Sequence, residues 1–276
     1  MATDRHLTLD VAIITHSPEG ILRVASMHLP AVDNVNYIVS WQDHRNTPIP
    51  QSLIRDDVKI HRLDKTGLSN NRNNAFCHSK GDLILCGDDD VIYTAKGLNA
   101  VIDTFDTHPD IDVATFMSRQ AGAARSYPDR ECQLTTPLPR NYSVCSIEIA
   151  LRRSTAGQLR CHPELGLGSP SMHGGEDEVL LLSAIRRGLV CRYFPITVCE
   201  HPNLSTGNKK SLSDKNLRAM GCVIALYYPY SWVLRIPLKA WRVKKSRQAG
   251  FFPALRYLCQ GVLKAYSLRP DSKYLW

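Results

Sequence analysis

The chain has 276 residues, 43% of them apolar and 22% charged, the balance of a globular protein with a real core, which argues against a disordered polymer. The formal net charge of +8 is concentrated late, in Arg235, Lys239, Arg242, Lys244, Lys245, Arg247, Arg256 and Lys264, so an anionic partner concerns the tail. Nine cysteines without a C-x-x-C pair argue against a zinc site; their odd number, with no apolar signal segment at the amino terminus, points to a reducing, cytoplasmic setting.

Leu7 to Thr15 reads as a near-continuously apolar strand, and His16-Ser17-Pro18-Glu19 as a turn with Ser17 as N-cap and Pro18 opening a helix to about His28. Val35 to Trp41 and Val58 to Leu63 are further strands, the first ending in Gln42-Asp43-His44. Strand, helix and strands in that order open a nucleotide-binding α/β sheet. Gly67 to Ala75 (GLSNNRNNA) reads as a loop feeding a helix capped at Ser69, whose free amides favour an anion and whose Arg72 can reach a phosphate or an acidic cluster. An ordinary capped helix with a surface arginine is the plain alternative.

Leu83 to Cys86 is a short apolar run that delivers Asp88, Asp89 and Asp90 to its carboxyl end, where open α/β sheets bind ligands. Adjacent carboxylates repel one another. A divalent cation relieves the repulsion, and hard oxygen donors suit Mg²⁺ or Mn²⁺; a solvated acidic turn is the other reading. Lys96 to Thr107 is then an amphipathic helix, Asp112 to Met117 a strand, Ser118 to Tyr142 a long functional loop or a lid with short strands, and Ser143 to Leu151 an alternating strand.

Met172-His173-Gly174-Gly175-Glu176-Asp177-Glu178 precedes an apolar helix, Val179 to Arg187. A charged carboxylate at a helix amino terminus can act as a base, although acidic capping alone gives the same pattern. Val190 to Val198 is the last strand, and His201 follows in a Pro/Gly-rich loop where a metal ligand is plausible and an idle histidine is common. Beyond Lys215 two or three helices follow. The longest apolar window, Cys222 to Leu234, contains Pro229 and falls short of the ~20 residues a spanning helix needs.

In order and content, the strand ending at Thr15-His16, GLSNNRNNA, GDLILCGDDD, GLGSPSMHGGEDEVLL and CEHPNLST resemble glycosyltransferase family 2, inverting nucleotide-sugar-dependent enzymes of the GT-A fold. The resemblance implies an α/β fold with a mixed, mostly parallel nucleotide-binding sheet flanked by helices. It implies a catalytic domain over 1–210, with a nucleotide-sugar half to about 115 and an acceptor half after it, and a helical extension over 211–276. Asp90 would coordinate a divalent metal, Mn²⁺ or Mg²⁺, with Asp88 and His201 as further ligands. Asp88 and Asp89 would lie toward the ribose and sugar, and Thr15, His16, Gln42 and Arg72 would line the nucleotide pocket. Either Gln42 or Asp43 would meet the base. Asp177 would be the general base and Glu176 an acceptor-binding carboxylate.

The expected reaction moves a sugar from a nucleotide diphosphate, UDP-linked by preference, to a hydroxyl of a glycan or lipid-linked acceptor. Residues 118–160 carry no motif that names this acceptor. Trp232, Trp241, Phe251, Phe252, Tyr257, Tyr266 and Trp276 among the late cations fit peripheral attachment at the inner face of an anionic membrane, and equally fit helices packed on the catalytic domain with solvated lysines. Two other functions compete. A sugar nucleotidyltransferase would open with a Gly-rich loop, where this chain has THSPEGILR. A nucleic-acid-binding module would explain the net charge, but no binding motif accompanies it and no nucleic acid is expected.

Overall fold

The computed structural model describes residues 6–120, 125–140, 142–201 and 212–268. The chain runs through β1 (Leu9–His16), α1 (Ser17–Ser26), β2 (Val35–Gln42), β3 (Val58–Leu63), α2 (Leu68–His78), β4 (Leu83–Asp88), β5 (Ile92–Tyr93) and α3 (Ala95–Thr107). It continues through β6 (Val113–Gln120), β7 (Cys132–Gln133), β8 (Ile149–Arg152), α4 (Arg153–Ala156), α5 (Glu176–Arg186), β9 (Cys191–His201), α6 (Asp214–Tyr227), α7 (Trp232–Lys245) and α8 (Phe251–Leu268). The nine strands among the described residues form one mixed sheet in the order β3-β2-β1-β4-β8-β6-β9-β5, with β7 joining at β9.

The first half of the sheet is parallel, β1 lying between β2 and β4. Both of its faces are covered, which is why Leu9 to Ile14 and Leu83 to Cys86 are buried without alternation. Asp10 breaks that apolar run for a reason: its carboxylate accepts from the backbone N–H groups of Lys80 (2.6 Å) and Gly81 (2.8 Å) and from Asn36 Nδ2 (3.2 Å). A buried carboxylate so bonded fixes the turn into β4. The resulting register sets Ile14 beside Asp88 and His16 beside Gln42.

The second half of the sheet changes direction at β8, which is antiparallel to both β4 and β6. The expected strand over 143–151 is shorter than its alternation suggested. Ser146–Glu148 form a 3-10 turn and extension begins at Ile149, because the Glu148 carboxylate turns inward to Ser118 Oγ (2.6 Å) and Tyr127 Oη (2.6 Å). From the 118–142 loop, Cys132–Gln133 pair with β9, while residues 121–124 and 141 lie outside the described residues.

Two expected caps are displaced. Ser17 is the first residue of α1 and not its cap; it has φ 71°, its hydroxyl donates to Glu19 (2.6 Å), and its carbonyl accepts from Trp41 Nε1 (2.8 Å). The residue before α2 is Gly67, at φ 98°, and Ser69 instead donates its hydroxyl to the Leu165 carbonyl (2.7 Å). The Leu68 N–H is taken by the Leu167 carbonyl (2.8 Å), so that amide is not among those free at the helix start. Helix α5 starts at Glu176, which brings Glu176 and Asp177 into its first turn.

Helices α6, α7 and α8 share an apolar cluster that includes Leu165, Met172, Val179 and Leu182. The C-terminal helices therefore pack on α5 and on the loop before it.

Candidate active site

A cavity of about 1110 Å³ opens at the carboxyl ends of β1, β2 and β4, the edge where open α/β sheets take ligands. Thr15, His16, Gln42, Arg72, Asp88, Asp89, Asp90, Glu176, Asp177 and His201 all line it. Asp43 does not; it has φ 48° and pairs with the Arg45 guanidinium (3.0 Å), with His16 Nε2 at 3.9 Å. Of the two residues left open for the base, Gln42 is the one in the cavity wall. Its amide donates to the carbonyls of Lys65 and Gly67 and so ties the loop before α2 to the end of β2.

The three aspartates face different partners. Asp89 accepts from Thr15 Oγ1 (2.5 Å) and from Arg23 Nε (3.2 Å) and Nη2 (2.7 Å), a fork bond closed by a hydroxyl. Asp90 faces His201 Nε2 at 3.2 Å. That contact follows from topology: β5, directly after the acidic corner, pairs antiparallel with β9 at Ile92 and Glu200, which brings the next residue of β9 to the level of Val91, beside Asp90. Asp88 turns inward to Arg72 Nη2 at 3.3 Å. Burial at the cavity floor pushes the Asp88 carboxyl up to about 6, with Asp177, Asp90 and Asp89 adding to the shift and Arg72 opposing it.

Arg72 joins the two walls. It is 1% exposed, and it spans from Asp88 on β4 to Asp177 on α5, 2.7 Å from Oδ1 of the latter. The asparagines around it explain how so polar a helix can be buried. Asn71 Nδ2 donates to the Thr15 carbonyl (2.8 Å), Asn73 exchanges two bonds with the Cys161 backbone (2.8 Å each), and Asn74 Nδ2 donates to Ser40 Oγ (2.8 Å). Each side chain replaces water at a main-chain or hydroxyl group. The helix is thereby pinned with its arginine aimed into the cavity.

On the opposite wall, Gly175 takes φ 85° and caps α5, a left-handed turn that suits glycine. The second oxygen of Asp177 accepts from the Ser146 backbone N–H (2.9 Å), so both oxygens of that carboxylate are held. Glu176 is buried, with its pKa raised by desolvation first and by Asp177 next, against the pull of Arg72.

The glycosyl transferase family 2 model matches residues 47–180, a span that includes Arg72, the three aspartates, Glu176 and Asp177. Over that span, just under half of the chain, the sequence is similar to glycosyl transferase family 2. A comparison with curated protein sequences finds no match. Among solved structures, residues 1–349 of S. aureus TarS in complex with UDP-GlcNAc superpose with a TM-score of 0.60 at 13% identity, over 97% of this chain and 88% of that one. The same protein in complex with UDP gives 0.55 at 14%, over 96% and 91%. A mycobacterial protein gives 0.50 at 15%, over 79% and 74%. At these identities the likeness is one of fold, the GT-A type of a mixed sheet between helices.

The cavity fits a divalent cation in part. Asp90 and His201 offer a hard oxygen and an imidazole on one side of the cavity, a set compatible with Mn²⁺ or Mg²⁺ when substrate phosphates complete the shell. Among the described residues no three His, Cys, Asp or Glu side chains stand close enough together to cage an ion. The expected trio of Asp88, Asp90 and His201 is thus not gathered, because Asp88 is drawn to Arg72.

Several residues in or beside the cavity carried no signal in the sequence. Arg23 reads as one more surface cation on α1, and the Ser146 N–H could come from almost any residue type. Arg125 lies 3.6 Å from the buried Glu148 carboxylate, whose pKa burial pushes up against the pull of Arg125. Neither the arginine nor the glutamate belongs to a motif.

Proposed function

We propose that this chain is an inverting, metal-assisted glycosyltransferase of family 2 that moves a sugar from a UDP-linked donor to a hydroxyl of a glycan or lipid-linked acceptor. The observation that carries this reading is the Arg72 bridge. It holds the acidic corner and the Asp177 carboxylate on opposite walls of one cavity, with separate roles available to each. The UDP-GlcNAc and UDP complexes of the fold neighbour TarS support the choice of donor.

In this reading the acceptor oxygen bonds to the anomeric carbon as the bond from that carbon to the diphosphate oxygen breaks, and UDP leaves. Asp177 takes the acceptor proton, and a single displacement inverts the configuration. Asp90 and His201 would hold a divalent cation, which would supply neutralisation of the leaving diphosphate. Thr15, His16, Gln42 and Asp88 stand toward the nucleotide. Asp89, held by Thr15 and Arg23, shapes the pocket floor. Glu176 borders the acceptor side. Among the described residues no helix is long and apolar enough to cross a membrane, and the basic C-terminal helices are the surface for a peripheral membrane contact.

The test is UDP release from UDP-GlcNAc in the presence of Mn²⁺. Asp177→Asn is expected to lose at least about 10²-fold in kcat while still binding UDP with the metal. An Asp177→Asn enzyme of undiminished turnover would end the assignment of Asp177 as base.

A further inference from the structure

Beside the cleft runs a second cavity of about 580 Å³, within the range of about 300–1,000 Å³ typical of small-molecule sites. The two cavities meet at a shared border of His173, Gly174, Gly175, Glu178 and Asn216, next to Asp177. The floor of the second is apolar, formed by Ala219, Met220, Val223 and Ile224 of α6. Its outer wall is α7, which contributes Arg235, Lys239 and Arg242. These three follow an i, i+4, i+7 spacing and so form one stripe on the helix.

A second stripe lies directly alongside with the same spacing. Leu234, Leu238 and Trp241 are 78%, 46% and 51% exposed, and Val233 beside them is 57% exposed. Leu238 also lines the groove, so the apolar surface continues from the floor over the edge of α7. Among the described residues none of the three cations is within ion-pair distance of a carboxylate. The Arg235 guanidinium carbon lies over the Tyr228 ring, 3.6 Å from its centroid, and Arg235 Nε donates to Ser231 Oγ (3.1 Å). Three cations against the single carboxylate of Glu178 leave the groove wanting an anion, and the flanking apolar stripes want hydrocarbon.

We propose that this groove holds a lipid-phosphate-linked acceptor, its phosphate on Arg235, Lys239 and Arg242 and its hydrocarbon chain along α6 and over the α7 edge. The proposal rests on the glycosyl-transfer reading and names the acceptor class for it. The acceptor sugar lies across the shared border, where its hydroxyl reaches Asp177. An unlipidated glycan would leave the apolar floor and the exposed leucines without a role, and a plain lipid would leave the cations without one.

The probe is farnesyl phosphate below its critical micelle concentration, titrated into the full chain by calorimetry, with farnesol and inorganic phosphate as separate arms. UDP with Mn²⁺ is titrated into the same preparations. Farnesyl phosphate is expected to bind at least about tenfold more tightly than either arm alone. A K239E/R242E double variant, at one half-buried and one exposed position, and a Leu238→Glu variant at an exposed one are each expected to weaken it at least about tenfold while UDP binding stays unchanged. The proposal is overturned if farnesyl phosphate binds no more tightly than farnesol or phosphate, or if both variants bind it as the unmodified chain does. Farnesyl phosphate binding without any UDP binding would support the groove and overturn the donor reading instead.

Discussion

Arg72 Nη1 lies 2.7 Å from Asp177 Oδ1, and the arginine is almost wholly buried. Its Nη2 reaches Asp88, so a single guanidinium compensates two carboxylates on separate elements. Removing one partner of a buried pair leaves charge without compensation and costs about 3–5 kcal/mol. Arg72→Met is therefore expected to lower the free energy of unfolding by about 3 kcal/mol, read from urea denaturation. Arg72→Lys keeps one charge and loses the fork. It is expected to retain more stability than the methionine variant but to lose kcat for UDP release, since a point charge cannot hold both walls. Equal turnover for Arg72→Lys and the unmodified enzyme would remove the bridge from the account.

Asp90 and His201 meet only because β5 pairs with β9. If they hold a cation against a substrate diphosphate, His201→Ala is expected to raise the Mn²⁺ concentration for half-maximal UDP release by about 10–100-fold, the scale seen when metal-site partners are lost. Turnover at saturating Mn²⁺ should be largely restored. A metal titration curve that superposes on the unmodified one would show that His201 is no ligand.

How legible these features were in the sequence depends on the kind of contact involved. The parallel core announced itself because β1 and β4 are buried on both faces and carry unbroken apolar runs, and the acidic corner could be placed at the end of β4 for the same reason. The reach of Arg72 to the acidic cluster could be read from the sequence, and it meets Asp88 there; its second partner, Asp177, lies 105 positions away and could not, and a helix of asparagines looks exposed until its side chains are seen to satisfy backbone groups. The 143–151 segment misled because Glu148 sits where strand alternation continues, yet its carboxylate is bonded inward. Ser17 and Ser69 looked like caps from residue type alone; each hydroxyl found another partner, and Gly67, with a positive φ, took the position before α2.

Glu178 gives a pH dependence with a definite sign. Burial first, and then Asp177, push its carboxyl from an ordinary 4.5 up to about 7, while Arg125 and Lys239 pull it down; Arg235 and Arg242 border the same groove. Between those values the folded chain holds a proton that the unfolded chain has released, so stability falls as pH rises through the interval and levels off above about 7. Glu178→Gln removes that titration. Unfolding free energies of the variant and the parent should converge near pH 4 and separate by roughly 1–2 kcal/mol in favour of the variant at pH 8, after allowance for solvent screening. Glu176 titrates in the same direction in both proteins, so the difference between them isolates Glu178. Parallel pH profiles would refute the shift.

Gly174 and Gly175 both have positive φ, 115° and 85°, but their surroundings differ. A Cβ on Gly174 meets nothing within 4 Å, whereas one on Gly175 comes within 2.8 Å of Val223 Cγ2 on α6. Gly174→Ala therefore carries only the backbone cost of the left-handed region, roughly 1 kcal/mol. Gly175→Ala adds a steric displacement and is expected to cost roughly 2–3 kcal/mol. The displaced element is the first turn of α5, which carries Asp177, so kcat for UDP release should fall at least about tenfold in Gly175→Ala, given how steeply rate depends on placement. It should stay near the parent value in Gly174→Ala. Urea denaturation and steady-state kinetics on the pair check both statements. Equal kcat for the two variants would mean that the position of Asp177 is not set by the contact between this turn and α6.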